Sequence, residues 1–540
     1  MNIMTMTCGE ATIRLLSRYG VSHVFGIPGV HTLDMCRGLT GGENAGAVQH
    51  IQARHELGAG FMAEGWARAT GEVGVAIVIS GPGVTNATTA LAQCYAESLP
   101  MLLISAEPPS DTLGKGWGVL HEITEQKKVT EPITAFSATA MRPADIPDLM
   151  ARAFSHFASE RPRPCHISIP IDVQAMPVDE MWEPIALPPR PACQLDMIRQ
   201  AAKLLTHAKN PLIMVGGGAV DAADDIRAIV ETLGAIVTTS TAGKGIVPDD
   251  HPLSLSAGVV TADGHDIIAQ ADVVLAVGTE LAETDSFAGP LHIPGQIIRV
   301  DIDPLKITDQ FLATIGIVSD AGIAMQALKD AIAGHSEQIS TQNKAIIASA
   351  KAAISTKLNA SEKQHVRLLA LMRAALSDHT IISNDACQIA YTGTFAIPSR
   401  APRSWFFPAG YCALGNALPN AIGAKMAKPD HDVVAVAGDG GFMFTMPELL
   451  VAAEYHMPIP MIIWDNGGYK QIRDDMDARQ ISRVGVEGIT PDFELLAKAC
   501  HCHFIAPKDA DQFTTGLKAA LAADRPTLIH ICENDDWLCQ

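Results

Sequence analysis

Several features that mark particular protein classes are scarce or missing in this sequence of 540 residues. Aromatic residues make up only 5% of the chain, yet 48% is hydrophobic and 18% is charged, which indicates a globular α/β protein rather than a disordered or fibrous one. No run of about 18 apolar residues occurs, and no basic segment followed by an apolar one opens the chain. We therefore predict a cytoplasmic protein without a transmembrane helix.

Positive charge is also in short supply. The 39 Lys and Arg residues are scattered along the chain and outnumbered by 59 Asp and Glu residues, for a formal net charge of −20. A nucleic acid or an anionic membrane binds to a basic face that neutralises its phosphates. We expect neither as a partner.

The eleven cysteines are dispersed, and no pair of CxxC motifs has the spacing of a zinc site, so reduced thiols are expected. The densest group is Cys500-His501-Cys502-His503, which follows a predicted helix over Phe493–Ala499. Its alternation favours a strand, although a metal-ligand role stays open.

Short apolar runs bounded by Gly, Pro and Ser alternate with longer helical stretches, which is typical of buried parallel strands joined by crossover helices. The pattern predicts an α/β protein with three doubly wound parallel-sheet domains, at 1–177, 192–335 and 360–540. A proline-rich connection over Pro177–Pro191 and a helical linker over Ser336–Lys357 separate them. Strands of the outer two domains are predicted at Val75–Ile79, Met101–Ser105, Cys165–Pro170, Thr380–Ser383, Val433–Ala437, Ile459–Trp464 and Pro526–Ile531.

A run of three glycines, Gly216-Gly217-Gly218, follows an apolar stretch in the second domain. Such a run could cradle a dinucleotide phosphate, but it is not a complete GxGxxG motif. A tight turn from strand to helix needs glycine as well. Both interpretations stay open.

Two polar loops in the third domain carry the strongest chemical signal. Gly438-Asp439-Gly440-Gly441 follows one apolar run, and Asp465-Asn466-Gly467-Gly468-Tyr469 follows another. Ligands of open parallel sheets bind at the carboxyl ends of strands. Oxygens of Asp439, Asn466 and the Gly468 carbonyl are the hard ligands that Mg²⁺ takes, and glycine N–H groups can approach a diphosphate. The Gly-Asp-Gly motif alone is equally compatible with a capped turn.

Taken together, these loops and five other segments resemble the thiamine-diphosphate-dependent acetolactate synthase / benzoylformate decarboxylase family. The resemblance implies a pyrimidine-binding domain, a central Rossmann-like domain and a diphosphate-binding domain, with thiamine diphosphate and Mg²⁺ as cofactors. It also implies a homodimer or homotetramer whose active site lies between subunits. The other segments, in family order, are Phe25–Gly29, Arg54–Glu56, Ser80–Asn86, Asp301–Pro304 and Ala413–Gly415 followed by Leu418-Pro419.

The resemblance also implies roles for single residues. The Glu56 carboxyl would bond the aminopyrimidine ring of the cofactor, although the residue could also begin an exposed helix. Leu414 would wedge between the two cofactor rings, where composition alone would place it in the core. The Cys412 carbonyl would accept from the cofactor amino group, and Gln388 would contact the diphosphate. The remaining implied cofactor contacts are Pro28, Asn86, Gly438, Gly440, Gly441 and Tyr469.

The sequence departs from the synthases at three places. Their Phe-Gln pair is replaced by His121-Glu122, and their tryptophan-bearing segment by Gln471–Asp477. Their flavin-contacting stretch corresponds to Glu280–Thr284, which lacks both arginines and so makes a bound flavin doubtful. A proton donor in place of an apolar contact favours release of an aldehyde over joining to a second substrate.

Two segments, Leu113–Glu122 and Tyr469–Arg473, resemble those of 5-guanidino-2-oxopentanoate (2-ketoarginine) decarboxylases. A guanidinium group binds carboxylates in a fork geometry, though such acids also solvate or cap surface helices. His31 and His121 are candidates for proton transfer, although a histidine is often structural. The candidate carboxylates are Glu122, Asp474, Asp475 and Asp477.

The sequence therefore predicts a thiamine-diphosphate-dependent enzyme that decarboxylates a 2-oxo acid to an aldehyde and CO₂, with 5-guanidino-2-oxopentanoate as the best single substrate. Two alternatives stay open. One is a carboligase like acetolactate synthase, and the other is a non-catalytic regulatory homologue that binds the cofactor. Glu56, Asp439 and Asn466 are all present, which weighs against a non-catalytic protein.

Overall fold

The computed structural model describes residues 6–40, 48–287, 289–335 and 340–539. It confirms the predicted fold class, because three separate α/β units each contain a parallel sheet. Both outer limits of the predicted domains and the first four residues of the predicted linker lie outside the described residues. No helix in the described ranges is long and apolar enough to cross a membrane.

The first unit is a six-stranded parallel sheet covered by helices. Its strands are β2 His23–Gly26, β3 Gln49–Gln52, β4 Gly74–Val78, β5 Met101–Glu107, β6 Phe136–Thr139 and β7 Cys165–Pro170, with a separate antiparallel pair of β1 Met6–Thr7 and β8 Pro177–Val178. Its helices are α1 Cys8–Arg18, α2 Leu33–Thr40, α3 Glu56–Thr70, α4 Pro82–Glu97, α5 Gln126–Thr130, α6 Asp145–Ser159 and α7 Ile171–Ala175. The strand order is β3-β2-β4-β5-β7-β6.

The second unit is a five-stranded parallel sheet of order β10-β9-β11-β12-β13, which is Rossmann-like as predicted. These strands are β9 Pro211–Val215, β10 Ile236–Thr239, β11 Val273–Val277, β12 Gln296–Asp301 and β13 Ile315–Val318. The helices are α8 Leu195–Thr206, α9 Ala223–Leu233, α10 Ala262–Ile268 and α11 Ala321–Ala331, followed by α12 Ser340–Lys357 in the linker.

The third unit contains a six-stranded parallel sheet, whose strands are β14 Ile381–Asn384, β15 Trp405–Phe406, β16 Val433–Gly438, β17 Pro460–Asp465, β18 His503–Ile505 and β19 Thr527–Cys532. Their order is β15-β14-β16-β17-β19-β18. The helices are α13 Ala360–Ala375, α14 Gln388–Ala396, α15 Ala417–Ala427, α16 Asp439–Phe442, α17 Leu449–Glu454, α18 Lys470–Ala478, α19 Phe493–Ala499, α20 Ala510–Leu521 and α21 Asp536–Cys539. Helix α19 has the predicted bounds, and the strand expected after it begins at His503.

The first and third units share one hydrophobic core. Phe25 and Leu91 of the first unit belong to the same buried cluster as Leu418 and Val433 of the third. Strands such as β4 and β9 are buried along their whole length, because helices cover each side of a parallel sheet. The shared core fixes the strand ends of the two units relative to each other within one chain.

Candidate active site

Three predicted metal-binding residues meet at the ends of two neighbouring strands. Asp439 directly follows β16, and Asn466 directly follows β17, which pairs with β16 in parallel. The Asp439 Oδ2 atom accepts a hydrogen bond from the Gly468 backbone N–H at 2.7 Å, and Oδ1 accepts from the Asn466 N–H at 3.5 Å. The carboxylate and the loop at 466–468 therefore form one cluster.

The charge of Asp439 has no compensating cation. Its side chain is fully buried, and among the described residues no lysine or arginine forms an ion pair with it. Burial, and then the neighbouring Asp465, raise the pKa of the Asp439 carboxyl. Asp465 itself is bonded to His530 Nε2 at 2.8 Å, which lowers its pKa. A buried carboxylate that lacks a cation fits a divalent metal ion.

Two glycines shape the wall of this cluster. Gly468 has a φ of +114°, a conformation that residues with side chains rarely adopt. A Cβ atom on Gly440 would lie 2.9 Å from the ring of Tyr469, so the tyrosine packs directly over the backbone. A Cβ atom on Gly468 would lie 2.5 Å from the Val486 carbonyl oxygen, so a side chain is excluded at both positions.

Glu56 is the first residue of α3, and its side chain is 9% exposed. Asn86, on α4, donates from Nδ2 to Glu56 Oε2 at 2.9 Å. No described group donates to the other oxygen, which leaves it available to a ligand. The bond from Asn86 fixes the orientation of the Glu56 carboxyl. A group that transfers a proton has to be held in a fixed orientation in this way.

The two candidate histidines lie side by side. The His31 and His121 rings are 4.9 Å apart between centroids in an edge-to-face arrangement, and His31 Nδ1 lies 2.5 Å from Ser80 Oγ. Burial, and then His121, lower the pKa of His31. His121 has a φ of +63°, and its buried Nδ1 has no hydrogen-bond partner among the described residues. The pair therefore combines an unpaired ring nitrogen on His121 with a His31 ring that is largely neutral near pH 7.

Glu122 is engaged by its own loop. Its carboxylate accepts hydrogen bonds from the N–H groups of Gly116 at 2.9 Å, Gly118 at 2.6 Å and Val119 at 3.2 Å. Three donors satisfy much of the hydrogen-bonding capacity of a carboxylate. The observed contacts make Glu122 an organiser of the loop that carries His121, and its direct catalytic role stays a prediction.

The other candidate carboxylates differ in their partners. Asp474 accepts from Lys470 at 2.9 Å and from Gln388 at 3.0 Å; although burial opposes its charge, these bonds hold its pKa below the usual range. Asp477 is paired with Arg483 at 2.7 Å. Asp475 is exposed, and its carboxylate has no partner among the described residues. Gln388 lies beside Asp474 at the start of α14.

A buried acid that sequence reasoning missed holds the loop of Cys412 and Leu414. Both oxygens of Asp385 accept from the Gly415 N–H, at 3.0 and 2.8 Å, and burial raises the pKa of Asp385 to about 7. Cys412 adopts a φ of +56°, and Leu414 is half-buried. Asp385 follows the strand predicted at Thr380–Ser383, so its place after a strand was the available signal.

Family models of thiamine pyrophosphate enzymes match all three units. The N-terminal TPP binding domain matches residues 6–129, the central domain matches 198–328 and the C-terminal TPP binding domain matches 386–531. The chain belongs to the thiamine pyrophosphate enzymes. The predicted family is confirmed, because thiamine pyrophosphate and thiamine diphosphate are two names for the same cofactor.

Similar members of the family carry two kinds of name. A "Probable 2-ketoarginine decarboxylase" of Pseudomonas aeruginosa is 45% identical over 532 residues, covering 98% of this chain and 94% of that protein. A "Probable acetolactate synthase large subunit" of Methanocaldococcus jannaschii is 31% identical, covering 97% and 92%. An "Acetolactate synthase large subunit" of Corynebacterium glutamicum is also 31% identical, covering 98% and 87%.

Helix α4 of this thiamine pyrophosphate enzyme supplies two further contacts that the sequence did not reveal. Gln93 Oε1 accepts from the Ala413 N–H at 3.3 Å, and Glu97 Oε1 accepts from the Gly410 N–H at 2.5 Å. The same helix carries Asn86, which holds Glu56. One helix of the first unit thus orients the candidate acid and the loop expected to contact the cofactor rings.

The glycine run of the central domain serves packing in this enzyme. The Gly216 N–H donates to the Val277 carbonyl at 3.0 Å, and the Gly218 N–H donates to the Gly278 carbonyl at 3.1 Å. These bonds join the loop to the end of β11 and occupy two of the three N–H groups that a phosphate would need. Nucleotide binding here stays an open prediction.

Proposed function

We propose that this enzyme decarboxylates a 2-oxo acid without oxidation, releasing an aldehyde and CO₂, with 5-guanidino-2-oxopentanoate as the preferred substrate. The observation that carries the proposal is the 45% identity to the probable 2-ketoarginine decarboxylase over nearly the full length of both chains. The acetolactate synthase relatives are 31% identical over similar lengths.

Asp439, Asn466 and Gly468 would hold a Mg²⁺ ion, which would offset the negative charge of the diphosphate. The uncompensated charge of buried Asp439, beside the loop of Asn466 and Gly468, supports this assignment. Bound thiamine diphosphate supplies an electron-accepting ring that takes up the electron pair left as CO₂ departs. The protein contributes binding, orientation and proton transfer.

Glu56 would donate and recover the proton that activates the cofactor. The bond from Asn86 Nδ2 occupies one carboxyl oxygen, and the other oxygen stays available to the aminopyrimidine ring. Leu414 and the Cys412 carbonyl would set the approach of the two cofactor rings, in a loop held by Asp385.

His31 and His121 would deliver the proton that replaces the carboxylate of the substrate. The lowered pKa of His31 keeps its imidazole neutral near pH 7, where it can pass a proton between Ser80 and a bound substrate. His121, followed by Glu122, stands where the synthases carry Phe-Gln. A proton source at that place supports aldehyde release over carboligation.

The cationic end of the substrate would meet a carboxylate near α18. Among the acids predicted for this role, Asp474 and Asp477 already have cationic partners, and Glu122 is bonded by three backbone N–H groups. Asp475 has no such partner among the described residues, so its exposed carboxylate is the one of the four that is free to accept a guanidinium.

We propose a homodimer or homotetramer in which Glu56 of one subunit serves the metal site of another. Within one chain, no described hydrogen bond joins Glu56 to the loops of Asp439 and Asn466. Large apolar side chains are more than half exposed on the segments that carry His31 and His121 and just after the Asp439 loop, as a face covered by a second copy would require. They are Val30, Leu33, Trp117, Leu120 and Phe444. The cytoplasmic location stays a prediction.

The decisive experiment is to incubate the purified protein, with thiamine diphosphate and Mg²⁺, with a panel of 2-oxo acids and to identify the products. We expect 4-guanidinobutanal and CO₂ from 5-guanidino-2-oxopentanoate, and no acetolactate from pyruvate. Acetolactate formation without the aldehyde would instead establish the carboligase alternative. A yellow, flavin-loaded preparation would contradict the expectation of no flavin.

A further inference from the structure

A buried acid of the third unit reaches into the turn that presents Glu56. After α16 the chain passes through a 3₁₀ turn over Met446–Glu448, and the Glu448 side chain is fully buried. Its carboxylate accepts from the Arg54 N–H at 3.1 and 3.2 Å, and from the His55 N–H at 3.0 Å. These two donors immediately precede Glu56.

The position of these N–H groups explains why a carboxylate is found there. Glu56 begins α3, and the N–H groups at a helix start have no partners within the helix. The partial positive charge of a helix N-terminus also favours an anion. The His55 ring accepts from another of these donors, the Leu57 N–H, at 3.0 Å. Glu448 therefore completes the cap of α3 from another domain.

The fit around Glu448 leaves little freedom. A Cβ atom on Gly58 would collide with the Glu448 carboxylate, so the helix backbone lies directly against it. Two weaker contacts extend the same docking surface. Arg54 pairs with Glu454 at 2.5 Å, and the Tyr455 hydroxyl donates to the His50 carbonyl at 3.4 Å.

We infer that Glu448 is a positioning residue that fixes the start of α3 and thereby the place of the Glu56 carboxyl. This inference rests on the proposed role of Glu56 in activating the cofactor. Without Glu448, the Arg54 and His55 N–H groups would face a cavity unbonded, and the first turn of α3 would shift or admit water. A displacement of about 1 Å at an activating group is enough to slow a reaction about a hundredfold.

The test compares Glu448→Ala and Glu448→Gln with the wild-type holoenzyme, loaded with thiamine diphosphate and Mg²⁺. Exchange of the cofactor C2 hydrogen with deuterium, followed by NMR after acid quenching, reports activation without any substrate. We expect exchange and kcat to fall at least about tenfold in Glu448→Ala and less in Glu448→Gln, whose carbonyl still accepts. The dissociation constant of the cofactor should change less than about threefold.

Glu454→Gln is the matched control, because it removes an exposed ion pair from the same surface but no backbone hydrogen bond. It should exchange C2 hydrogen at the wild-type rate.

Glu56→Gln, measured beside it, separates the positioning role of Glu448 from the proposed role of Glu56. Slow exchange in Glu56→Gln with wild-type exchange in both Glu448 variants overturns the positioning role alone, whereas wild-type exchange in Glu56→Gln overturns the proposed role of Glu56 and this inference together. Losses that only parallel weaker cofactor binding also overturn the inference.

Discussion

The strand ends of the third and second units carry acids with opposite surroundings. At the end of β16, Asp439 is buried, and no Lys or Arg among the described residues pairs with it. Beyond β11 in the central unit, Glu280 is paired with Arg161 of the first unit and lies 3.6 Å from Lys306. Arg161 also lies 3.6 Å from Asp303. Both acids lie at the edge of a parallel sheet where ligands usually bind. The charge of Asp439 stays available to a ligand, whereas the charge of Glu280 is neutralised by an ion pair between two domains.

Replacing Asp439 with Asn removes the unpaired charge and should give the largest effect. The amide would lose the attraction for Mg²⁺, and its nitrogen could oppose the Gly468 N–H. We expect kcat/KM to fall at least about a thousandfold, or about 4 kcal/mol, together with Mg²⁺-dependent cofactor binding in isothermal titration. Asp477→Asn, which removes an acid already paired with Arg483, is the control and should keep both properties.

Glu56→Gln tests the acid on the other side of the site. The amide keeps the size of the side chain and an oxygen for the Asn86 donor, but it cannot exchange a proton with the cofactor. Turnover should fall by about two to three orders of magnitude while the affinity for thiamine diphosphate is retained. Unchanged turnover, measured with saturating cofactor, would remove Glu56 from the mechanism.

The features that could be predicted from sequence are those that depend on residues close together in the chain. Apolar runs identified strands to within one or two residues at most positions, because strands covered on both faces, such as β4 and β16, are mostly apolar along their length. The clustering of Asp439 with the loop at 466–468 followed from parallel strands whose ends share one sheet edge. Local motifs and the pattern of the strands were therefore enough to predict that the two metal-binding loops lie together.

Contacts between segments distant in the chain could not be predicted in this way. Asp385, Gln93 and Glu448 act on backbone groups far away in the chain, and nothing near them in sequence marks the partner. Glu122 was predicted from its chemistry as a group facing the substrate, yet its carboxylate lies against its own loop. A carboxylate is equally suited to a backbone N–H and to a guanidinium, so residue type alone does not choose between them.

The buried acids that bind backbone groups should make stability depend on pH. Burial raises the folded-state pKa of Asp385 and of Glu448 to about 7. A carboxyl with a raised folded pKa stabilises the fold below its unfolded pKa, near 4, and loses that contribution as pH rises through about 7. At about 1.4 kcal/mol per pKa unit, each group should account for about 4 kcal/mol across this window.

Asp385→Asn isolates this contribution, because the amide cannot ionise and its oxygen can still accept from Gly415. Calorimetric unfolding without added cofactor, between pH 5 and 8, should show the wild type losing stability with rising pH faster than the variant. Parallel curves for the two proteins would mean that Asp385 stays ionised throughout the range. Above pH 8 both curves should flatten with respect to this group.

Glu280→Gln, at the neutralised edge of the central unit, should give the smallest effect. Glu280 is 36% exposed, and Arg161 keeps Asp303 as a second partner, so the free energy of unfolding should fall by about 1 kcal/mol or less. Because this edge holds no part of the proposed site, kcat and the affinity for thiamine diphosphate should not change. Urea unfolding and steady-state kinetics on the same preparation measure both. A tenfold change in kcat would show that the sheet edge at Glu280 affects the proposed site at Asp439. The distinction between an edge that binds a ligand and an edge that joins two domains would then be wrong.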